Sequence, residues 1–299
     1  MAPSPNPTFG HRLVAAGRER GRLCVGIDPH ASLLRAWGLS DDLDGLRTFT
    51  MTCVEAFADT AAAVKPQVAF FERCGSRGLA VLEDALSALR EAGTLTIADA
   101  KRGDIGSTMA GYADAWLGET SPLRADSVTV SPYLGVGALQ PVFDLAEATG
   151  RGVFVLAATS NPEAVALQST LQAPGTPEEK TIAQSIVDAC GQLNAQHAAA
   201  GEYGNVGVVV GATLAHPPVL DGLHGPVLLP GVGAQGASAA DVAQIMAAAP
   251  ELGFANVSRG VLKAGPTVTA LRDAVRALAE EFGVDEGVGS SSDSGARTE

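Results

Sequence analysis

The chain has 299 residues, of which 46% are hydrophobic, and it carries a formal net charge of −13 at pH 7. A chain of this length can bury a large core, either in one barrel-type domain or in two smaller domains. The acidic balance disfavours nucleic acid and anionic membranes as partners, because contacts to phosphate need basic patches, whereas a small anionic ligand responds to local charge.

Short apolar runs alternate with longer helical patterns between two polar ends. Residues 1–8 are proline-rich and residues 286–299 are rich in glycine and serine, which predicts disordered tails on either side of one domain at 9–285. The apolar runs are typical of strands buried on both faces of a parallel sheet. In chain order, the predicted elements are strand 23–28, helix 46–60, strand 61–65, helix 78–92, strand 94–99, helix 105–117, strand 127–131, helix 135–149, strand 153–158, helix 177–200, strand 206–211, strand 226–229, helix 237–249, strand 254–258 and helix 266–282.

This order of elements predicts a TIM (β/α)8 barrel in a single domain. Eight strands alternate with helices over about 250 residues, the usual length of this α/β fold. Only the segment after the sixth strand lacks a clear helix, because Pro217, Pro218 and Gly222 interrupt it. An open doubly wound sheet is the competing architecture, and the strand count favours the barrel.

The cysteines and the N-terminus bear on the cellular compartment. The four cysteines, at 24, 53, 74 and 190, contain no CxxC pair, which favours free thiols in a reducing cytoplasm over a metal or disulfide framework. The N-terminus has no apolar signal core, and no apolar run approaches the roughly 20 residues of a membrane span. These patterns predict a soluble cytoplasmic protein.

Charged side chains collect where predicted strands end. Asp28, Lys65 and Asp99 end strands one to three, Lys101 follows two residues later on the same strand face, and Asp104 starts the next helix. In a barrel, the carboxyl ends of the strands carry the active site. These five residues are therefore candidate active-site residues.

Each charge also has a structural interpretation. Asp104 could be a helix N-cap, Asp28 a turn residue, Lys65 a side chain extending from the barrel rim, and Asp99 with Lys101 a structural ion pair. Their collection on one rim favours chemistry.

The loop after strand seven is a candidate phosphate site. Loops after strands seven and eight often bind phosphate in this fold, and glycines let backbone amides approach an anion. Arg259, at the end of strand eight, can add a bidentate contact. Tight turns alone would also explain the glycines. The candidate ligands are Pro230, Gly231, Gly233, Gln235, Gly236 and Arg259.

The DxKxxDI pattern at 99–105 resembles the signature of the orotidine 5′-phosphate decarboxylase family. Lys65 before it, and the PGVGAQG loop at 230–236 with Arg259 after it, resemble the family's other site elements in the same order. The pattern is shared with related sugar-phosphate decarboxylases, and the loop with its arginine favours the orotidylate enzymes. The resemblance covers roughly residues 10–280.

Segments 65–72 (KPQVAFFE) and 159–162 (TSNP) resemble the longer bacterial, type 2 branch of that family. The resemblance implies decarboxylation of orotidine 5′-monophosphate to UMP in pyrimidine biosynthesis, without a metal or an organic cofactor, by a homodimer with shared sites. Lys101 would then stabilise and protonate the C6 carbanion while Asp99 holds it in place. Lys65 and Asp104 would complete an alternating charge network.

The resemblance also implies substrate contacts outside the charged set. Asp28, Lys65 and Thr108 would bind ribose hydroxyls, and Ser160 would contact the pyrimidine. From the neighbouring subunit, Asp104, Ile105 and Thr108 would reach the substrate. The segment at 161–177 is a candidate part of a mobile lid.

Two alternative functions remain open on the sequence alone. A Mg²⁺-dependent sugar-phosphate decarboxylase or aldolase of related sequence would need another acidic metal ligand near the end of strand two, where this chain has Lys65. A non-catalytic nucleotide-binding barrel would have no need for Lys101 between carboxylates. Activity that is lost with EDTA would favour the first, and UMP binding without turnover the second.

Overall fold

A computed structural model describes residues 7–177, 179–233 and 236–283 of the chain. Eight parallel strands close into a barrel in which β1 pairs with both β2 and β10. The predicted TIM barrel is therefore confirmed, and the open sheet is excluded. The barrel strands are β1 (Leu23–Ile27), β2 (Ala63–Pro66), β3 (Leu95–Arg102), β4 (Ser127–Val130), β5 (Gly152–Ala158), β8 (Val206–Val210), β9 (Val227–Pro230) and β10 (Gly253–Val257), and an antiparallel pair lies outside the barrel, β6 (Leu171–Gln172) with β7 (Lys180–Thr181).

Helices surround the barrel, as the alternation of elements predicts. None of the helices within the described ranges is long and apolar enough to cross a membrane. Short 3-10 helices lie at Val136–Leu139, Pro162–Ala164 and Pro250–Leu252. The α-helices are α1 (Phe9–Arg20), α2 (Ala31–Ala36), α3 (Leu43–Phe57), α4 (Ala69–Glu72), α5 (Gly75–Glu91), α6 (Gly106–Leu117), α7 (Gln140–Thr149), α8 (Val165–Gln168), α9 (Ile182–Leu193), α10 (Ala195–Ala199), α11 (Ala239–Ile245), α12 (Arg259–Leu262) and α13 (Val268–Glu281).

Three predicted helices differ from the observed ones. The helix predicted at 135–149 begins as the 3-10 helix Val136–Leu139, and the helix predicted at 177–200 begins only at Ile182, because Lys180–Thr181 form β7. The helix predicted at 177–200 is also divided, since Asn194 lies between α9 and α10, with its side chain buried. Its side-chain amide donates to the carbonyl oxygens of Val206 and Leu223 at 2.7 and 2.8 Å. The helix predicted at 237–249 is wrong at its end, since α11 stops at Ile245. The segment after the sixth barrel strand has no helix, as predicted.

The amino end of the barrel is closed by α1, which the sequence analysis did not predict. Phe9 packs edge-on against Phe154 inside the barrel, with ring centroids 5.8 Å apart. Gly152 makes room for it, since a Cβ there would come within 2.2 Å of the Phe9 ring. Thr8, assigned by sequence to the N-terminal tail, is buried and caps α1 by accepting from the backbone N–H of His11 at 3.1 Å. The opposite, carboxyl end remains open for a ligand.

Candidate active site

A cavity of about 480 Å³ opens at the carboxyl ends of the strands. Its volume suits a small-molecule ligand. Side chains from most of the barrel strands, and from the loops that follow them, form its wall. The lining residues are Asp28, His30, Lys65, Gln67, Asp99, Lys101, Thr129, Leu156, Thr159, Val209, Leu228, Pro230, Gly231, Val232, Asn256, Ser258 and Arg259.

The buried carboxylate of Asp99 is the centre of the polar network. Its Oδ2 accepts from Lys65 Nζ at 2.5 Å and from Gln67 Nε2 at 2.9 Å. Its Oδ1 accepts from Lys101 Nζ at 2.5 Å and from Thr129 Oγ1 at 3.0 Å. Four donors thus match the roughly four acceptor positions of an ionised carboxylate.

Charge pairing outweighs burial at this centre. Burial alone would raise the pKa of Asp99, but the ammonium groups of Lys65 and Lys101 bring it well below its usual range. Burial would likewise lower the pKa of Lys65, and the carboxylates of Asp99 and Asp28 raise it above its usual value. Asp99 and Lys65 are therefore both charged at neutral pH.

The two lysines differ in their access to a ligand. The Lys65 side chain is 6% exposed, whereas the Lys101 side chain is 44% exposed. An ammonium that is held by Asp99 and still faces the cavity can stabilise negative charge on a bound molecule. Lys101 is therefore the better placed of the two for chemistry.

The pairing of Asp99 with Lys101 confirms that the two side chains lie close together, but simple strand alternation is not the reason. The pairing register between β3 and β4 shifts between Ala98 and Arg102. Lys101 itself has a φ of +48°, in the left-handed region that residues other than glycine rarely adopt. A bulge, rather than a flat strand, presents its ammonium to the cavity.

The phosphate-loop candidates are only partly gathered at the cavity. Pro230, Gly231 and Arg259 line it, and the exposed Arg259 guanidinium makes no hydrogen bond or ion pair with any residue in the described ranges. Gly231 has a φ of +101°, which favours glycine. Gly233 and Gly236 do not line this cavity, and the Gly236 amide donates to the Gly233 carbonyl at 3.1 Å. Gln235 lies outside the described residues.

Four further candidates do not line the cavity of their own chain. Asp104 does not cap α6 through its side chain, because the N-cap is Ile105, whose N–H donates to Asp104 Oδ1 at 2.7 Å. Ile105 and Thr108 are exposed. Ser160 lies next to the lining residue Thr159 and beside Gly211. Their substrate contacts remain predictions.

Asp28 lies in the cavity wall with its Oδ1 buried and without a hydrogen-bond partner among the described residues. A buried acceptor without a partner is costly. Because the Asp28 side chain lies in the cavity wall, a role in ligand binding is open to it beyond that of a turn residue.

Several neutral polar residues of the site are not among those predicted from the sequence. Gln67 and Thr129 bind Asp99 directly. Asn256, which also lines the cavity, donates to the Cys24 carbonyl oxygen at 3.3 Å. Gln67 stands two residues after Lys65, and that spacing on one strand face could have found it. Asn256 is the single polar residue of β10, and Thr129 stands between two valines in β4, so neither has a charged residue two positions away that marks a site.

The described part of the chain contains no group of three histidine, cysteine, aspartate or glutamate side chains arranged to hold a metal ion. The network around Asp99 is instead built from ammonium, amide and hydroxyl donors. All four cysteines lie in the described ranges, and their thiols are free.

The chain is similar to proteins of one enzyme family over most of its length. Residues 21–274 match the family described as "Orotidine 5′-phosphate decarboxylase / HUMPS family". A protein from Corynebacterium efficiens named orotidine 5′-phosphate decarboxylase is 62% identical over 275 residues, covering 92% of this chain and 97% of the relative. A protein of the same name from Corynebacterium glutamicum strain R is 58% identical, covering 92% and 98%.

A solved structure shares both fold and sequence. The crystal structure from Streptomyces avermitilis that provisionally carries the same enzyme name superposes with a TM-score of 0.86 at 50% identity. The match covers 93% of this chain and 95% of that one. The barrel fold of this chain therefore occurs in a solved structure of similar sequence.

Proposed function

The chain belongs to the orotidine 5′-phosphate decarboxylase / HUMPS family, and from this we propose that it converts orotidine 5′-monophosphate to UMP and CO₂ in pyrimidine biosynthesis. The observation that carries the proposal is the Lys65–Asp99–Lys101 cluster, with the Lys101 ammonium open to a cavity that Arg259 also lines. Relatives above 50% identity over nearly their full length carry the same enzyme name.

The chemistry needs a fixed cation beside one carbon atom. When the bond between C6 of the pyrimidine and its carboxylate breaks, CO₂ leaves and the electron pair stays on C6. The Lys101 ammonium stabilises that charge and donates a proton to C6, forming the C–H bond of UMP. Lys101 is left as an amine, which regains a proton from solvent. Asp99 keeps Lys101 in position, and Lys65 keeps Asp99 ionised.

The rest of the substrate supplies binding energy. Arg259 and the loop around Gly231 would bind the phosphate, and Asp28 would accept from a ribose hydroxyl. Ser160 would contact the pyrimidine. Because the phosphate is remote from C6, its binding energy can order the site for the reaction rather than take part in it.

We further propose a homodimer in which each site is completed by the neighbouring subunit. Asp104, Ile105 and Thr108 follow β3 on the rim of the cavity and do not line it in their own chain. Ile105 is exposed, and the loop after β4 exposes Tyr133 and Leu134 on the same side of the barrel. Exposed apolar groups of this kind are typical of protein contacts.

A cytoplasmic location fits both the reaction and the cysteines. The thiols of Cys24, Cys53 and Cys190 are buried and free, which suits a reducing compartment.

The decisive experiment follows the absorbance of orotidine 5′-monophosphate with purified protein, with and without EDTA. Rapid conversion to UMP that EDTA does not change supports the proposal. Conversion that EDTA abolishes would favour a Mg²⁺-dependent mechanism, and the sugar-phosphate substrates would be tried next. UMP binding without any turnover would favour a non-catalytic barrel.

A further inference from the structure

Thr129, in the middle of β4, is buried and binds two groups of the site at once. Its hydroxyl donates to Asp99 Oδ1 at 3.0 Å and accepts from the backbone N–H of Lys101 at 2.9 Å. A hydroxyl has one proton and two lone pairs, so both bonds form with a single orientation of the O–H. This side chain links the carboxylate of Asp99 to the backbone of Lys101.

The strand register explains why a hydroxyl is needed at this point. Ala98 lies opposite Val128, and Arg102 lies opposite Val130. Three residues of β3 therefore stand against Thr129 alone, and the bulge removes their regular ladder partners. A buried backbone N–H that loses its ladder partner needs another acceptor. Thr129 Oγ1 is that acceptor for Lys101.

The backbone of Lys101 needs such a restraint. Its φ of +48° lies in the left-handed region, and a conformation of this kind persists in a non-glycine residue only where the surroundings hold it. The direction of this backbone determines where the Lys101 ammonium enters the cavity. A bond to its N–H is therefore also a restraint on the reacting end of the side chain.

We propose that Thr129 is a positioning residue that fixes the Lys101 ammonium and the Asp99 carboxylate relative to each other across the β3 bulge. This role rests on the proposed decarboxylase function, in which Lys101 delivers a proton to one defined carbon. Small displacements of a reacting group lower the rate strongly. Thr129 acts through Lys101 and Asp99 and transfers no proton itself, because its hydroxyl proton is held in the hydrogen bond to Asp99.

Three substitutions separate the hydroxyl from the volume of the side chain. Thr129→Val keeps the shape and removes the hydroxyl. Thr129→Ser and Thr129→Ala both lose the methyl group, and they differ from each other in the hydroxyl. The wild-type protein is measured first, and the three variants follow. For each, we would determine kcat and KM for orotidine 5′-monophosphate and the affinity for UMP.

We expect kcat to fall about 10- to 100-fold in Thr129→Val and Thr129→Ala. This is the change in rate that corresponds to the energy of one hydrogen bond to a charged group. Thr129→Ser should keep most of its kcat, and all three variants should bind UMP nearly as the wild type does. A structural defect alone would instead lower kcat and UMP affinity together and would affect Ser and Ala alike.

Equal kcat values for Thr129→Ser and Thr129→Ala would overturn the positioning role, and this comparison also decides the matter if Thr129→Val does not fold. A fall in UMP affinity that parallels the fall in kcat would overturn it as well. A wild-type protein without turnover would overturn the proposed function and this role with it. If the wild type is active and Thr129→Ser and Thr129→Ala have equal kcat values, the positioning role is overturned and the proposed function stands.

Discussion

Replacing Asp99 by asparagine tests whether the charge cluster is a buried ion pair with a large effect on stability. The side chains of Lys65 and Asp99 are 6% and 8% exposed, and Lys65 Nζ lies 2.5 Å from Asp99 Oδ2. Asparagine keeps the shape but brings an NH₂ group to one oxygen position. Its one carbonyl oxygen can replace only one of the two oxygens that accept the present four hydrogen bonds, and the buried Lys65 ammonium loses its hydrogen-bonded counter-ion.

Removing one partner of a buried ion pair costs about 3–5 kcal/mol in the free energy of unfolding. We expect a loss of that size for Asp99→Asn at about pH 7, measured by urea unfolding. The matched control is Asp84→Asn, which removes an ion pair to Arg47 of 2.7 Å between side chains that are half exposed. Such a surface pair contributes at most about 1 kcal/mol.

The pH dependence has a definite sign. The raised pKa of Lys65 stabilises the wild type below its unfolded value of about 10.4, and this stabilisation is lost as the pH rises through the folded pKa. The lowered pKa of Asp99 stabilises the wild type above about pH 4, and this is lost as the pH falls through its folded pKa. The difference between wild type and Asp99→Asn should therefore narrow toward both extremes. An Asp99→Asn variant no less stable than Asp84→Asn, or a difference independent of pH, would refute the reasoning.

Three further predictions concern the reaction and the assembly. Lys101→Ala should abolish turnover and leave UMP binding measurable, and near-normal turnover would exclude Lys101 as the proton donor. Arg259→Ala should weaken the apparent affinity for the nucleotide by about 10- to 100-fold, as the loss of a charged hydrogen bond implies, and an unchanged KM would remove Arg259 from the phosphate site. Mixed Lys101→Ala and Asp104→Ala chains should recover up to about a quarter of wild-type activity, since half the dimers are hybrids with one intact site each; no recovery in a protein that exchanges subunits would contradict shared sites.

The sequence predicts the barrel well because its strands are buried on both faces. Continuous apolar runs such as 206–210 have few other interpretations when they alternate with helical segments along the chain. The charged residues Lys65, Asp99 and Lys101 are equally visible, since charge at the end of a buried strand is rare. The order of apolar runs and charged residues along the chain thus predicts both the fold and the charged residues of the candidate site.

The neutral part of the site depends on tertiary geometry that has no local signal. A threonine in a strand is ordinary, and only the shift in register opposite Thr129 gives its hydroxyl two partners. The break between α9 and α10 lies at Asn194, and the bonds from its side-chain amide to the carbonyl oxygens of Val206 and Leu223 likewise depend on tertiary geometry. Helix α1 was not predicted, since its apolar residues Phe9 and Leu13 pack into the inside of the barrel and do not form a long amphipathic face.

The acidic chain and an anionic substrate are compatible because charge acts locally at the cavity. Lys65, Lys101 and Arg259 line the cavity together with the carboxylates of Asp28 and Asp99, so cationic side chains outnumber anionic ones there. Charges beyond about 8 Å are largely screened at physiological salt, which leaves most of the net charge of −13 with little effect on a bound nucleotide. Within the cavity, Asp99 neutralises the buried Lys65 and also binds Lys101. The cationic groups that remain accessible to a ligand are therefore the half-exposed Lys101 ammonium and the exposed Arg259 guanidinium, and a substrate that carries both a carboxylate and a phosphate offers an anion to each.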